Sequence, residues 1–238
     1  MAPAEPPLRK AAVAVALLCC WQAREAGAQL TGSVGVVSDY LYRGSSLSQG
    51  KPAAQLTLAY DSPDGWHAGV FAARVKLAGA ARGSMQYIGY AGYARRLASG
   101  LSWDAGAAHY AYKPDSTQDY QELHAGLAAD RVNARIAYSP DYLGLGIPTA
   151  YAEMNGSYPL WRDVSLFAHA GYLASLSASP LFGDMRQMDG RVGLGAELGG
   201  FRWQLAWDAS RGRTSGYGWQ KAASGSRGDV VVSVSRPF

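Results

Sequence analysis

Apolar and polar residues alternate along most of the 238-residue chain. The segment FRWQLAWDAS (201–210) places Phe201 and Trp203 on one face of an extended strand and Arg202 on the other, because successive side chains of a strand point to opposite faces. Residues 132–138, which read VNARIAY, repeat this pattern, and the period of an amphipathic helix is nearly absent. The pattern predicts an all-β protein.

Twelve such segments divide the chain, and the connections between them are alternately short and long. The predicted strands lie near 31–43, 52–60, 65–77, 84–96, 101–112, 118–129, 131–139, 149–158, 163–174, 188–199, 200–210 and 228–238. The short connections are DSPDG, RLASG, ADRV, PLWRD and LGGF. An even strand number with short periplasmic turns and longer outer loops is typical of outer-membrane barrels. We therefore expect residues 29–238 to form a transmembrane, antiparallel, up-and-down β-barrel of about 12 strands.

The apolar face of these strands has two possible environments. In a soluble β-sandwich it would form the core, whereas in a membrane barrel it would contact lipid and the polar face would line the lumen. Aromatic residues concentrate at the strand ends, as they do in the interfacial girdles of membrane barrels. Those near the short turns are Trp66, Trp103, Trp161, Trp203 and Phe238, and those near the long loops are Tyr40, Tyr42, Tyr110, Tyr112, Tyr138 and Tyr142. The two bands favour the membrane barrel, with the sandwich as the alternative.

The last strand, GDVVVSVSRPF, ends on an aromatic residue. Val230, Val232 and Val234 share one face of this strand with Phe238. Strands that the barrel-assembly machinery recognises typically end in this way, so we expect this machinery as a partner through Phe238, with outer-membrane lipid around the barrel. Arg236 departs from the pattern on the lipid side, but near an interface such an arginine costs only about 0–1 kcal/mol and can extend its charge to water.

The first 28 residues have the features of a signal peptide. The basic pair of Arg9 and Lys10 precedes the apolar run AAVAVALLCCW, and the small residues AGA follow, so we expect cleavage after about Ala28 and export to a Gram-negative outer membrane. An uncleaved anchor helix is an alternative, although eleven apolar residues fall short of the roughly 20 that span a bilayer. A lipoprotein is a weaker one, because Leu18 stands where a small residue should precede the first cysteine. Cleavage removes both cysteines, and with them any disulfide or thiolate site.

The charge of the mature chain is close to neutral. Of the 22 basic and 18 acidic side chains, three basic and two acidic ones belong to residues 1–28, which leaves a net charge of +3. This balance argues against a nucleic-acid partner, since nucleic-acid binding depends on many phosphate contacts. The four histidines show neither HxH nor HExxH spacing, so no metal site or other cofactor is expected.

The segment SDYLYRGSSLSQGKPAAQ (38–55) resembles the start of the mature chain in the TorF-type porin family of bacterial outer-membrane proteins. The matching positions are Ser38, Asp39, Tyr40, Arg43, Gly44, Pro52, Ala53 and Gln55. Later segments, among them GWHAGVFAARV, YAGYARRL and DYQELHAGL, are also similar to that family. The resemblance implies an outer-membrane barrel with a transport role, and it supplies no catalytic residues.

Charged residues on the polar face are the candidate pore lining. They are Asp39, Arg43, Arg74, Lys76, Glu122, Arg135, Glu153, Arg191, Glu197 and Arg202, together with Asp104, Asp189 and Asp208. Barrels of about eight strands are filled by side chains and those of roughly 16–18 leave a channel, so twelve strands predict a narrow pore. Opposed acidic and basic side chains would admit small polar solutes or ions by passive diffusion, with weak ion selectivity. The alternative is a plugged lumen in which these charges satisfy one another, in a structural or surface-interaction barrel.

Two further questions concern this polar face. The element SDYLYRG puts Asp39 and Arg43 on one face of the predicted first strand, where they either form a constriction or fix the strand register. A barrel lipid hydrolase would need a lipid-facing Ser–His pair. The motif GxSxG is absent, and His124 and His169 fall on the lumen side, so we expect no enzyme activity.

The last long loop, RGRTSGYGWQKAASGSR, carries four basic residues and no acidic one. Arg211, Arg213, Lys221 and Arg227 could contact the phosphates of lipopolysaccharide, because basic side chains gain about 1 kcal/mol each at an anionic surface. The alternative is a solvated surface loop without a partner.

Overall fold

Twelve antiparallel strands close into a β-barrel in the computed structural model, which describes residues 28–76, 83–178, 184–213 and 225–238. Numbered β1 to β12 in chain order, the barrel strands are Gln29–Val37, Ala53–Asp61, Trp66–Val75, Ser84–Arg96, Ser102–Lys113, Tyr120–Ala128, Val132–Ser139, Thr149–Pro159, Val164–Ser175, Arg186–Leu198, Phe201–Arg213 and Gly225–Pro237. Each strand pairs with its neighbours in the chain, and β1 pairs with β12. The predicted all-β, up-and-down barrel of twelve strands is confirmed.

The strand connections differ in length at the two ends of the barrel. At one end, which we call the short-turn end, the links are residues 62–65, 97–101, 129–131, 160–163 and 199–200. At the opposite, long-loop end they are residues 38–52, 76–83, 114–119, 140–148, 176–185 and 214–224. The predicted alternation is therefore present. The predicted signal peptide up to residue 27, like residues 77–82, 179–183 and 214–224, lies outside the described residues.

In the described ranges, helix is limited to the single 3-10 turn Tyr142–Gly144, within the loop between β7 and β8. No described helix is long and apolar enough to cross a membrane.

The closing strand pair includes the last residue of the chain. β1 and β12 are antiparallel, with Val36 opposite Val234, and the main chains of Gly32 and Phe238 exchange two hydrogen bonds of 3.0 and 2.9 Å. A Cβ at position 32 would overlap the ring of Phe238, so the absence of a side chain lets this ring lie across the neighbouring strand.

Large apolar side chains cover the outer surface of the barrel. Leu205 is 53% exposed and Val230 is 67% exposed, and both belong to the apolar faces that the alternation predicted. Apolar surface gains about 25 cal/mol per Å² on leaving water, so a belt of this kind is unfavourable in solution and favourable in hydrocarbon. The polar faces of the same strands point into the lumen. This arrangement is that of a membrane barrel and not of a soluble sandwich, whose apolar faces would be buried.

Aromatic side chains lie on the outer surface at the short-turn end. Trp66, Trp161 and Phe238 are exposed there, and the guanidinium of Arg236 lies 5.6 Å from the ring centroid of Phe201. These positions suit the headgroup region of a bilayer, where amphipathic side chains find both an apolar and a polar environment.

Most tyrosines predicted for the girdle at the long-loop end are inside the barrel instead. Tyr138 is exposed as predicted, whereas the buried ones are Tyr40, Tyr42, Tyr110, Tyr112 and Tyr142. In β5, Asp104 faces the lumen, and the two-residue period carries Tyr110 and Tyr112 to the same side. The prediction was wrong because tyrosine suits both an interface and a packed interior, so its type does not specify the side.

Candidate functional site

The chain between β1 and β2 turns into the lumen and forms a small hairpin. Two-residue strands, Leu41–Tyr42 and Ser45–Ser46, pair with each other, and Arg43 and Gly44 between them have φ angles of 49° and 73°. Two successive positive φ angles characterise the type I′ turn, whose twist matches that of a hairpin. We call residues 38–50 the inner hairpin. The prediction that the first strand extends to residue 43 is wrong, because the chain leaves the barrel wall after Val37.

Asp39 stabilises the folded shape of the inner hairpin. Its Oδ1 accepts hydrogen bonds from Ser46 Oγ at 2.5 Å, Ser48 Oγ at 2.8 Å and the main-chain N–H of Gly50 at 3.1 Å. Its Oδ2 accepts a hydrogen bond from Arg227 Nη2 on β12 at 2.7 Å. These partners compensate the burial of the carboxylate, because a buried charge without partners is strongly unfavourable.

On one side, the inner hairpin packs against β3 and β4. Leu47 is fully buried, and the ring centroids of Tyr40 and Phe71 lie 5.8 Å apart. The Tyr40 hydroxyl donates to Gln86 Oε1 at 2.7 Å. Burial raises the pKa of Tyr40, so this phenol stays neutral and remains a hydrogen-bond donor. Packed side chains therefore fill this side of the lumen.

Two wall side chains bind the main chain of the hairpin turn. Gln187 Nε2 on β10 donates to the Arg43 carbonyl at 2.5 Å, and Ser210 Oγ on β11 donates to the Gly44 carbonyl at 2.9 Å. A Cβ at position 44 would overlap the side chains of Gln187, Asp189 and Ser210. Glycine thus permits both the turn and the close approach of the turn to the wall.

The side chain of Arg43 occupies a cage of one carboxylate and three phenol rings, which we call the Arg43 cage. Nη1 and Nη2 bind Oε1 and Oε2 of Glu122 at 2.7 and 2.8 Å. The guanidinium carbon lies 4.2 Å from the ring centroid of Tyr151, 5.0 Å from that of Tyr42 and 5.6 Å from that of Tyr142, all within cation–π range. Burial acts most strongly on the pKa of Arg43 and lowers it, but Glu122 and the surrounding tyrosines together outweigh burial and the pKa is raised, so the arginine stays charged.

The inner hairpin bridges the lumen from wall to wall. Arg43 is bound to β6 through Glu122, and Asp39 is bound to β12 through Arg227. These two strands are six positions apart in a ring of twelve, so they lie on opposite sides of the barrel. A segment tied to both sides narrows the lumen at the level of the inner hairpin.

A cavity of about 120 Å³ lies between the inner hairpin and the charged part of the wall. Its lining holds six carboxylates, four guanidinium groups and two imidazoles, from Asp39, Glu122, Glu153, Asp189, Asp208 and Asp229, from Arg43, Arg135, Arg191 and Arg227, and from His124 and His169. With both histidines neutral, this lining carries a net charge of −2. No residue of β3 or β4 belongs to the lining, in agreement with the packing of the hairpin there.

Ion pairs between adjacent strands run along the charged wall. Arg135 Nε on β7 binds Glu153 Oε1 on β8 at 2.8 Å, and Arg191 Nε on β10 binds Asp208 Oδ1 on β11 at 2.5 Å. In both cases the two residues are directly opposite each other in the strand register. Such pairs fix the directions of the charges, so that any solute in the cavity meets a rigid pattern of both signs.

A chain of hydrogen-bonded polar side chains lies on the same wall and runs toward the short-turn end. His169 Nε2 lies 2.9 Å from Asp189 Oδ1, and His169 Nδ1 lies 2.7 Å from Asn155 Oδ1. Asn155 Nδ2 donates to Asn133 Oδ1 at 3.1 Å, and the Tyr151 hydroxyl donates to Asp189 at 3.2 Å. The lumen wall between the Arg43 cage and the short-turn end is thus hydrophilic.

The structure brings together most of the predicted pore-lining residues. Those that face the cavity are Asp39, Arg43, Glu122, Arg135, Glu153 and Arg191. Glu197 and Arg202 also point inward, but they lie at the short-turn end outside the cavity lining, where Arg202 Nη2 donates to Glu197 Oε1 at 2.8 Å. Asp104 is paired with His124 Nε2 at 3.2 Å.

Arg74 and Lys76 do not face the lumen. In β3 the buried residues include Phe71 and Val75, so the two-residue period places Arg74 on the outer face, where it is exposed. Lys76 follows the strand with an exposed side chain. Their predicted inward positions are wrong because the register of this strand differs by one residue from the predicted register, and a shift of one residue exchanges the two faces.

Sequence reasoning missed three residues that shape the site. The sequence predicts Arg227 in the last long loop, yet it belongs to β12 and binds Asp39 inside the barrel. Asp229, on the same face of β12, and Tyr151, the ring nearest to Arg43, also line the cavity. An earlier start of the last strand identifies Arg227 by alternation. Asp229 lies on the polar face of the predicted strand 228–238, and the two-residue period places Tyr151 on the same face as Glu153. Of the other three basic residues of that loop, Lys221 lies outside the described residues and Arg211 is exposed on β11.

The histidines do not form a hydrolytic site in the described parts of the barrel. His67, His124 and His169 point inward, away from the surface on which a lipid substrate would lie. His109 is on the outer face, but its partners in the adjacent strands are Gly89 and Gln121, neither of which is a nucleophile. No group of three or more His, Cys, Asp or Glu residues among those described is arranged to hold a metal ion.

Comparisons with solved structures identify porins of similar fold. The KdgM porin matches with a TM-score of 0.52 at 10% sequence identity, over 88% of this chain and 99% of that chain. The NanC porin matches with a TM-score of 0.52 at 13% identity, over 87% of this chain and 99% of that chain. A KdgM porin in complex with disordered oligogalacturonate matches with a TM-score of 0.50 at 11% identity, over 88% and 99% of the two chains. At these identities the likeness shows a shared fold.

Comparisons of the sequence give a family. A search of curated proteins finds no match. The family model described as a bacterial protein of unknown function (Gcw_chp) matches residues 22–238.

Proposed function

The chain belongs to the Gcw_chp family of bacterial proteins of unknown function, and from the geometry of its lumen we propose that it is an outer-membrane porin. Small polar solutes and ions diffuse passively through its narrow, charged lumen. The observation that carries the proposal is the cavity of about 120 Å³, lined by six carboxylates and four guanidinium groups, inside a barrel with an apolar outer surface.

The chemistry of the lining fits this role. Polar solutes lose hydrogen bonds to water when they enter a narrow passage, and charged side chains with fixed directions can replace these bonds. The inner hairpin limits the cross-section, so the pore discriminates by size as well as by charge. The similar porin structures support this role through the shared barrel architecture alone.

The finer assignments rest on the sequence. The resemblance of residues 38–55 to the TorF-type porin family supports a transport role, and in this structure the same residues form the inner hairpin and the start of β2. A signal peptide cleaved after about Ala28 supports export to the outer membrane. There Phe238 would engage the barrel-assembly machinery, and exposed basic residues at the long-loop end, such as Arg211, would contact lipopolysaccharide.

A plugged barrel is the second candidate function. It is favoured by the attachment of the inner hairpin to both β6 and β12, which would block the lumen if the hairpin never moved. Such a barrel would serve as a structural or surface-interaction protein.

Swelling of proteoliposomes in isotonic solutions of neutral sugars of increasing size tests the porin against the plug. The porin proposal predicts fast swelling with glycerol and arabinose and a steep decline for disaccharides, because the inner hairpin narrows the lumen. Liposomes with a heat-denatured sample serve as the control. Equal, slow swelling with every solute, in the presence of correctly folded barrel, would support the plug.

A further inference from the structure

The Arg43 cage has the composition of a receptor for an organic cation. A buried carboxylate faces three phenol rings, and aromatic rings with an acidic side chain are the groups that bind guanidinium and quaternary ammonium ligands elsewhere. In this chain the occupant is Arg43 of the inner hairpin, whose guanidinium is held by Glu122 and lies over the ring of Tyr151.

We propose that the Arg43 cage is a binding site for small solutes that carry a guanidinium or alkylammonium group, and that these solutes displace Arg43 as they pass through the lumen. The inner hairpin is then a tethered occupant of the site. The proposal rests on the porin function and specifies the class of solute that the porin favours.

The wall side of the cage is held in place without help from Arg43. The rings of Tyr110 and Tyr120 stack at 4.4 Å with an interplanar angle of 3°, and the Tyr142 ring meets Tyr120 edge-on at 5.0 Å. The Tyr110 hydroxyl donates to Glu122 Oε2 at 3.0 Å and so orients the carboxylate. A site whose parts support one another stays formed when its occupant leaves, which lowers the cost of binding a new occupant.

The charge of the cavity brings cations to the cage. Six carboxylates and four guanidinium groups line it. Without the hairpin residues Asp39 and Arg43, five carboxylates and three guanidinium groups remain. The net charge of −2 is therefore the same with the hairpin in place or displaced. A negatively charged, narrow cavity raises the local concentration of cations and lowers that of anions.

The energetics of exchange favour a guanidinium over an inorganic cation. A free guanidinium can reproduce both hydrogen bonds of Arg43 to Glu122 and its position over Tyr151, whereas a strongly hydrated Na⁺ offers neither the planar fork nor the weak hydration. Arg43 is covalently tethered next to Glu122 and therefore competes with any free solute for this carboxylate. Removal of Arg43 ends this competition, so tighter binding of the solute follows.

Binding of methylguanidinium to purified barrel in detergent tests the proposal, with methylurea as an uncharged molecule of the same shape. We expect Arg43→Ala to bind methylguanidinium at least tenfold more tightly than the unmodified protein and to show no comparable binding of methylurea. The variant Arg43→Ala/Glu122→Gln should lose this affinity. Equal affinity of Arg43→Ala and the double variant for methylguanidinium would overturn the proposal.

A second variant and a second readout keep the test decisive. If Arg43→Ala does not fold, as judged by heat-modifiable electrophoretic mobility, Arg43→Gln removes the charge while it keeps a polar side chain that can donate a hydrogen bond. In planar bilayers, millimolar methylguanidinium should alter the KCl current of the unmodified protein, and methylurea should not. A KCl current that responds equally to both molecules rejects the organic-cation site alone, whereas the absence of any KCl current in the unmodified protein and in Arg43→Ala rejects the porin function.

Discussion

Glu122 supplies the negative charge that balances the guanidinium of Arg43 in the inner hairpin. It is 4% exposed, binds both terminal nitrogens of Arg43 and accepts the Tyr110 hydroxyl. A buried ion pair contributes little net stability relative to apolar packing, but the loss of one partner leaves the other charge buried without compensation. A change of Glu122 therefore lowers the free energy of unfolding strongly when Arg43 remains, and less when Arg43 is replaced as well.

The variant Glu122→Gln should lower the free energy of unfolding by about 3–5 kcal/mol, because it leaves the Arg43 guanidinium buried without a counter-charge. Urea unfolding in phospholipid vesicles, followed by tryptophan fluorescence, measures this loss. The matched control is Glu197→Gln, because Glu197 is half-exposed where it pairs with Arg202 and should change stability by about 0–1 kcal/mol.

Additional replacement of Arg43 by Ala should recover part of the stability lost in Glu122→Gln, because the two changes act on one interaction. Equal losses in Glu122→Gln and Glu197→Gln would contradict the role given to the Arg43 cage.

The inner hairpin keeps its position through its turn. Gly44 has a φ of 73°, and a Cβ there would overlap the side chains of Gln187 and Ser210, which bind the turn. Gly50, at the end of the hairpin, has a similar φ of 70° but no atom within 4 Å of an added Cβ. Replacement of Gly50 by alanine thus costs only the unfavourable backbone conformation, whereas replacement of Gly44 adds a clash with the wall.

Gly44→Ala should loosen the inner hairpin from β10 and β11 and increase the mean conductance in planar bilayers, while the barrel remains folded. Gly50→Ala should leave the conductance close to that of the unmodified protein, because it adds only a left-handed backbone cost of about 1–2 kcal/mol. Identical conductance in the two variants would show that the hairpin does not set the width of the passage.

The alternation of residues predicted the barrel strands because it is a direct consequence of strand geometry. A side chain on the lipid face and one on the lumen face differ in the solvent that they contact, and this difference is repeated every two residues. Val230, Val232 and Val234 are a clear example, since β12 places all three on its outer side as predicted. Strand number and connection lengths follow from the same signal.

The inner hairpin could not be predicted in the same way. SDYLYRG continues the alternation of β1, so periodicity extends the strand to residue 43, although the chain leaves the wall at Ser38. The turn inward depends on distant partners, Glu122 and Arg227, whose proximity follows from barrel closure and not from sequence separation. The burial of Tyr40 and Tyr42, which belong to the inner hairpin, depends on the same tertiary contacts.

The lumen of the barrel carries an excess of negative side chains. The cavity lining has two more carboxylates than guanidinium groups, and the outer-face Arg74 does not contribute to it. The lumen should therefore prefer cations more than the mixed charges of the sequence suggested.

Across a planar bilayer with a KCl gradient, the sign of the reversal potential should show that K⁺ passes more readily than Cl⁻. Neutralising one lumen carboxylate, as in Asp208→Asn, should move this potential toward zero, because the cavity loses one negative charge. Arg74→Gln should leave it unchanged, since Arg74 lies on the outer face. A preference for Cl⁻, or an equal shift in the two variants, would contradict the assignment of the lining.

Single-channel recording in KCl tests whether polar solutes and ions pass through a charged lumen that the inner hairpin narrows. The comparison uses the unmodified barrel and a variant in which residues 40–49 are replaced by a short Gly-Ser link. We expect small discrete current steps for the unmodified protein and steps several times larger for the variant, because the hairpin bridges the lumen between β6 and β12. Two correctly folded proteins that give no current steps at any voltage, with or without the hairpin, would contradict it.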